Sequence, residues 1–133
     1  MAPRMDYLGL VVADLARSLD FYRRLGLDLP SGPDTRPHVE VTLPGGLRLG
    51  WDTVDSIRDL GWTPPTGSPR ISLAFRCADP AEVDRCWTAM TGAGFHGELP
   101  PWDADWGQRY AVLHDPDGNG VDLYAPLPVP AAD

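Results

Sequence analysis

The stretch from Tyr7 to Tyr22 returns, altered, as Ser72 to Trp87. Asp14 falls on Asp79, and the register holds on both sides of it. Leu8 matches Leu73, Leu10 matches Phe75, Ala13 matches Ala78, Ala16 matches Ala81 and Tyr22 matches Trp87. A strand-turn-helix unit used twice predicts two similar half-sheets facing each other across a cavity. What lines that cavity then decides the function.

The rest of the chain fits around the repeat. Residues 6–12 read as a strand, and Asp14 as the N-cap of a helix over about 15–25 closed by Gly26. His38 to Leu43 alternates, with Val39, Val41 and Leu43 on one face and His38, Glu40 and Thr42 on the other. Pro44-Gly45-Gly46 predicts a hairpin turn before a return strand over 47–53, and 53–60 a short helix. In the second half, residues 70–77 read as a strand. Asp79-Pro80-Ala81-Glu82 is a helix start with cap, first-turn proline and acid in place. Residues 93–107 read as loop and edge structure, 108–113 as a strand, Asp115 to Gly120 as a tight turn and 121–124 as a closing strand. The expected class is α+β, two βαβββ halves at 1–65 and 66–133 forming a curved mixed-sheet cleft.

Each half has only about 60 residues, too few for a comfortable core alone, so the halves need each other or a second chain. The net charge of −8 argues against a nucleic-acid partner, which wants a basic face. No run approaches the ~20 apolar residues of a membrane span, and the N-terminus lacks the apolar core of a signal peptide. A cytoplasmic protein without membrane partners is expected. Cys77 and Cys86 lack metal spacing and read as free thiols.

Four segments carry a resemblance: the repeat, "ADLARSLDFYRRLGL", "WGQRYAVLHDPDGN" and the terminal "VDLYAP". Together they resemble the vicinal-oxygen-chelate superfamily of glyoxalase I, extradiol dioxygenases and bleomycin-resistance proteins. "GGLRLGWDTV" and "PWDADWGQRYAV" are most similar to its mitomycin- and bleomycin-resistance drug-binding branch. That likeness implies a homodimer with exchanged half-domains and clefts at the subunit interface.

Metal-using relatives hold the ion on the first and last strands of each half, with His, Gln or Glu. The matching positions here are Tyr7, Arg48, Ser72 and Asp122. Only Asp122 is a ligand type, and Arg48 repels a cation. His38, His96 and His114 fall elsewhere, no two of them at i,i+4 or strand i,i+2 spacing. No metal and no cofactor are expected, and an Arg48–Asp122 ion pair is a possible replacement.

Strand parity points Tyr7, Gly9 and Val11, and likewise Ser72, Ala74 and Arg76, into the cavity. The small residues among them favour an open cleft. His38 offers a planar ring or a hydrogen bond there. Trp102 and Trp106, four apart in a stretch of Pro, Asp and Gly, suit stacking on a planar ring. Gln108 and Tyr110 supply donors nearby, and Asp52 could attract a cationic ligand. Trp51 falls by parity on the helix side, with a ligand role kept open. Trp62 is either a buried anchor or a lid. Trp87 packs in the core.

These readings, with the resemblance, imply a non-enzymatic self-resistance protein that sequesters a planar aromatic or quinone-like antibiotic. The alternative is a metal-independent enzyme of the same superfamily, with His38, Glu40 or Asp122 as general base.

Overall fold

Asp14 and Asp79 perform the same task in the two copies. Asp14 caps helix α1 (Leu15–Arg24), its carboxylate accepting from the Arg17 N–H; Asp79 caps α3 (Pro80–Gly92), accepting from the Glu82 N–H. Each answers one of the N–H groups a helix start leaves without an intrahelical partner. The computed structural model describes residues 2–31, 36–64, 66–67 and 69–129. The sequence also reads as a loop over 30–37 and a Pro-rich tail after 124, and part of each lies outside the described residues.

The chain divides into two compact units, residues 1–67 and 68–133. The first contains β1 (Tyr7–Val12), α1, β2 (His38–Thr42), β3 (Arg48–Thr53) and α2 (Val54–Asp59). Its sheet runs β1-β3-β2, with β3 parallel to β1 and antiparallel to β2. The Pro44-Gly45-Gly46 turn joins β2 to β3, with Gly45 and Gly46 at φ of +96° and +98°, where a Cβ would be strained. Leu10, Val12, Val39, Leu49 and Trp51 are buried, as are Leu19, Phe21 and Tyr22 of α1. The Tyr22 and Trp51 rings meet edge to face at 5.5 Å.

The second unit contains β4 (Ser72–Arg76), α3, β5 (Gly97–Ala104), β6 (Gln108–His114) and β7 (Gly120–Pro126). Its sheet runs β4-β7-β6-β5. Ala111, Leu113, Val121, Leu123 and Ala125 are buried with Val83 and Met90 of α3. The Trp87 indole of α3 lies against Gly97, where an added Cβ would stand 2.3 Å from the ring. Each fully buried Leu, Val or Met removes apolar surface worth about 1.5–3 kcal/mol.

The fold class is α+β, with a βαβββ order complete in the second unit. Among the described residues the first unit supplies three strands, none lying between α1 and β2 where β5 would have its counterpart. Three further differences from expectation have physical reasons. Residues 97–104 form a strand although Pro100 and Pro101 interrupt it; β5 is an edge strand with register shifts, where missing N–H groups are tolerated. Ile71, which alternation in a strand over 70–77 would put on the helix side, is 60% exposed, because β4 begins only at Ser72. The space over the first unit's glycines is not open: Tyr7 folds its ring over Gly9 and Gly50, filling the room a Cβ would need.

Candidate functional site

The register gives the two units equivalent positions. Gly9 pairs with Gly50, and its repeat partner Ala74 pairs with Asp122, so Asp122 occupies the place of Gly50. Asp52 pairs with His38, and Tyr124, two residues after Asp122, pairs with Tyr110. Tyr110 is therefore the counterpart of His38, and Tyr124 of Asp52. In each unit these residues lie on the face away from the helix-side core, because strand side chains alternate.

In the first unit this face is charged. His38 lies between two carboxylates, with Nδ1 2.7 Å from Asp52 and Nε2 2.9 Å from Glu40. Hydrogen bonds to Glu40 and then Asp52 raise the His38 pKa above its ordinary value, against the opposing effect of burial. Glu40 is held below the ordinary carboxylate value, first by His38 and then, after an opposing effect of burial, by Arg48. Arg48 donates to Glu40 at 3.3 Å, lies 3.8 Å from Asp6, and rests 5.1 Å from the centre of the Tyr7 ring. Burial, then the charges of Asp52 and Glu40, push the Tyr7 hydroxyl up. Beside this network Pro37, His38, Asp52, Ser56, Asp59 and Leu60 line an open hollow of about 310 Å³.

In the second unit the same face is aromatic. Trp102 of β5 pairs with Tyr110 of β6, which pairs with Tyr124 of β7, so three rings cross three strands in a row. Trp106, in the β5–β6 turn, closes a triangle of edge-to-face contacts. It lies 6.0 Å from Trp102 and 5.3 Å from Tyr110, and Trp102 lies 5.6 Å from Tyr110. Tyr124 stacks beside Tyr110 at 6.5 Å. Gln108 fixes Trp106 by accepting from its indole N–H at 2.9 Å. The Tyr110 hydroxyl donates to Asp122. Burial and that hydrogen bond push the Tyr110 pKa up to about 12, so the phenol stays a neutral donor. Trp106 remains 58% exposed, a large apolar surface left in water.

The donor set does not fit a superfamily-type metal. The sheet register places Gly120, not Asp122, opposite Ser72, while Tyr7 stands opposite Arg48. The row one step along reads Gly9, Gly50, Ala74 and Asp122. Neither row offers more than one carboxylate, and the first holds a guanidinium. Arg48 and Asp122 each have partners within their own unit, Glu40 and Tyr110 respectively.

A family model for the glyoxalase/bleomycin resistance protein/dioxygenase superfamily matches residues 4–123. The chain belongs to this superfamily. Solved structures of the superfamily agree with its fold. A glyoxalase/bleomycin resistance protein/dioxygenase from Nocardioides is 25% identical, covering 100% of this chain and 89% of that one, with a TM-score of 0.72. A glyoxalase-related enzyme from Fulvimarina pelagi, 19% identical, covers 93% and 88% with a TM-score of 0.78. A superfamily enzyme from Burkholderia phytofirmans, 17% identical, covers 94% and 100% with a TM-score of 0.75. No curated protein matches. The superfamily holds both enzymes and resistance proteins, so membership leaves the activity open.

Of the residues singled out from sequence, Trp102, Trp106, Gln108, Tyr110 and Asp122 come together in the second unit. Tyr7, His38, Arg48 and Asp52 come together in the first. Ser72 is exposed at the start of β4. Trp51 cannot meet a ligand: it is 0% exposed, on the helix side of β3 against Tyr22, with its indole N–H lacking a hydrogen-bond partner. Trp62 is no buried anchor, being 63% exposed after α2. Tyr124 was missed; its spacing from Asp122 on one strand marks it as sharing that face.

Proposed function

We propose that the protein binds a planar aromatic or quinone-like antibiotic, of mitomycin, bleomycin or anthraquinone-enediyne type, and sequesters it unmodified as a self-resistance protein. The observation that carries this reading is the aromatic row Trp102–Tyr110–Tyr124 with the exposed Trp106 beside it. Flat apolar faces attract flat ligands, and ring stacking adds about 0.5–1.5 kcal/mol per pair beyond area burial. The Asp122 carboxylate beside Tyr110 gives the row a polar edge that orients a ligand. We further propose that it works as a homodimer, since each unit is small for a self-sufficient core.

In the resting arrangement His38 has both ring nitrogens engaged, Glu40 faces His38 and Arg48, and Asp122 accepts from Tyr110, so a base role would need these contacts to exchange for a substrate proton.

The test is a tryptophan-fluorescence titration of the full chain with bleomycin, mitomycin C and an anthraquinone, followed by mass analysis of the recovered compound. Saturable quenching with the compound unchanged is expected. Chemically altered compound would instead establish the metal-independent enzyme. Light scattering after size exclusion checks the dimer.

A further inference from the structure

His114 follows His96 and Glu98 by 18 and 16 residues in the sequence, yet the fold gathers all three. Gly97 pairs with Leu113, and the His114 N–H donates to the His96 carbonyl at 3.0 Å, extending the β5–β6 ladder by one step. His96 and His114 are thereby cross-strand neighbours on one face, their rings 5.0 Å apart. Glu98, two residues after His96, lies in the register shift between Gly97 and Leu99, and its carboxylate reaches both imidazoles. Its Oε2 lies 2.9 Å from His96 Nε2 and 3.6 Å from His114 Nε2. One ligand atom from each residue falls within 4.8 Å of the others.

We propose that these three residues form a binding site for a divalent transition-metal ion of the zinc type. Zinc sits about 2.0–2.2 Å from nitrogen and carboxylate oxygen in a tetrahedron, so its ligand atoms stand roughly 3.3 Å apart. The observed separations bracket that value before any side chain moves. Two imidazoles and a carboxylate suit zinc, cobalt, nickel or copper rather than calcium or magnesium, which prefer all-oxygen shells. Among the described residues this is the one group of three such side chains with ligand spacing. Three protein ligands leave a fourth position for water or for a donor atom of a small molecule. The set is half exposed, with side-chain exposures of 62%, 46% and 35% for His96, Glu98 and His114. Nothing needs to open for an ion to enter.

The site is separate from the four superfamily positions, which offer one carboxylate, Asp122, and no histidine. It sits at the open end of the β5–β6 hairpin, and the aromatic cluster sits toward the turn. A metal there would tie the edge strand β5 to β6 at the first register shift, between Gly97 and Leu99.

The proposal is tested on the full chain stripped with a chelator. Zinc chloride is titrated by calorimetry, and cobalt chloride by visible absorption, which reports tetrahedral coordination. One ion per chain is expected, with affinity falling at least about tenfold in His96→Ala and in His114→Ala. All three side chains are partly exposed, so the variants should keep the far-UV spectrum of the parent. Cys77→Ser/Cys86→Ser and His38→Ala should bind as the parent does. Absence of saturable binding would overturn the proposal, as would binding that survives both histidine variants or is lost in the cysteine variant.

Discussion

His38 and Tyr110 occupy equivalent places in the two units, as do Asp52 and Tyr124, and Gly50 and Asp122. The positions between them behave differently: Leu49 corresponds to Val121 and Trp51 to Leu123, and all four are buried. Beneath the sheet the two copies have kept one requirement, apolar bulk against a helix. Above it they have diverged into a charged clamp in one unit and a row of rings in the other. Packing constrains every atom on the helix side. On the opposite face the backbone ladder is satisfied whatever the side chain, so chemistry is free to change without loss of fold. The duplicated scaffold thus holds two different surfaces at matching positions.

The comparison can be broken first at its buried side. Trp51→Ala should cost about 3–5 kcal/mol, enough to unfold a marginal unit, measured by denaturant titration. A loss under about 1 kcal/mol would mean that Trp51 is not the core residue its burial implies. Next comes the division of labour between the faces. Trp106→Ala should weaken binding of a quenching anthraquinone about tenfold, roughly 1.4 kcal/mol, while His38→Ala stays within about twofold. Equal losses would remove the distinction between the faces. Tyr110→Phe removes the donor to Asp122 while leaving the ring in place. It should cost about 1 kcal/mol of stability, and leave ring stacking on the ligand nearly intact. The smallest effect concerns pH. His38 holds its proton more tightly folded than unfolded, so its contribution is full below the ordinary 6.5 and fades as pH rises through the raised folded value. Glu40 behaves oppositely, contributing above its ordinary 4.5 and losing that contribution as pH falls through its lowered folded value. The melting temperature should therefore be highest between about pH 5 and 6.5. His38→Gln should flatten the alkaline limb of that profile.

Much of the fold was legible because it is written locally. The caps Asp14 and Asp79 and the Asp115 turn follow from side chains bonding to nearby backbone, and the Pro44-Gly45-Gly46 turn from the freedom of glycine at positive φ. Asp115, as expected, accepts from the N–H groups of Asp117 and Asn119. Alternation likewise put Val39 beneath the sheet and His38 above it. What stayed hidden depends on register between strands distant in sequence. Nothing in the spacing of His96 and His114 announces that they face each other across β5 and β6. Pro100 and Pro101 masked β5, and with it the pairing of Trp102 with Tyr110. The clamp on His38 needed Asp52 brought opposite it, which the hairpin implied but did not state. Small residues at Gly9, Ser72 and Ala74 suggested empty space, and only the ring conformation of Tyr7 reveals that the room over Gly9 is filled.

The parallel pairings of β1 with β3 and of β4 with β7 have a consequence for how the chain emerges during synthesis. In each unit the parallel ladder joins the earliest strand, at the sheet's edge, to the last. Until residues 48–53 have left the ribosome, β1 has no strand partner. Contacts of such long sequence separation form late and slowly. Domains generally fold as units, the N-terminal one first. The first half can therefore form its own ladder while the second is still being translated, but its small core gains full stability only once a second half or a second chain is present.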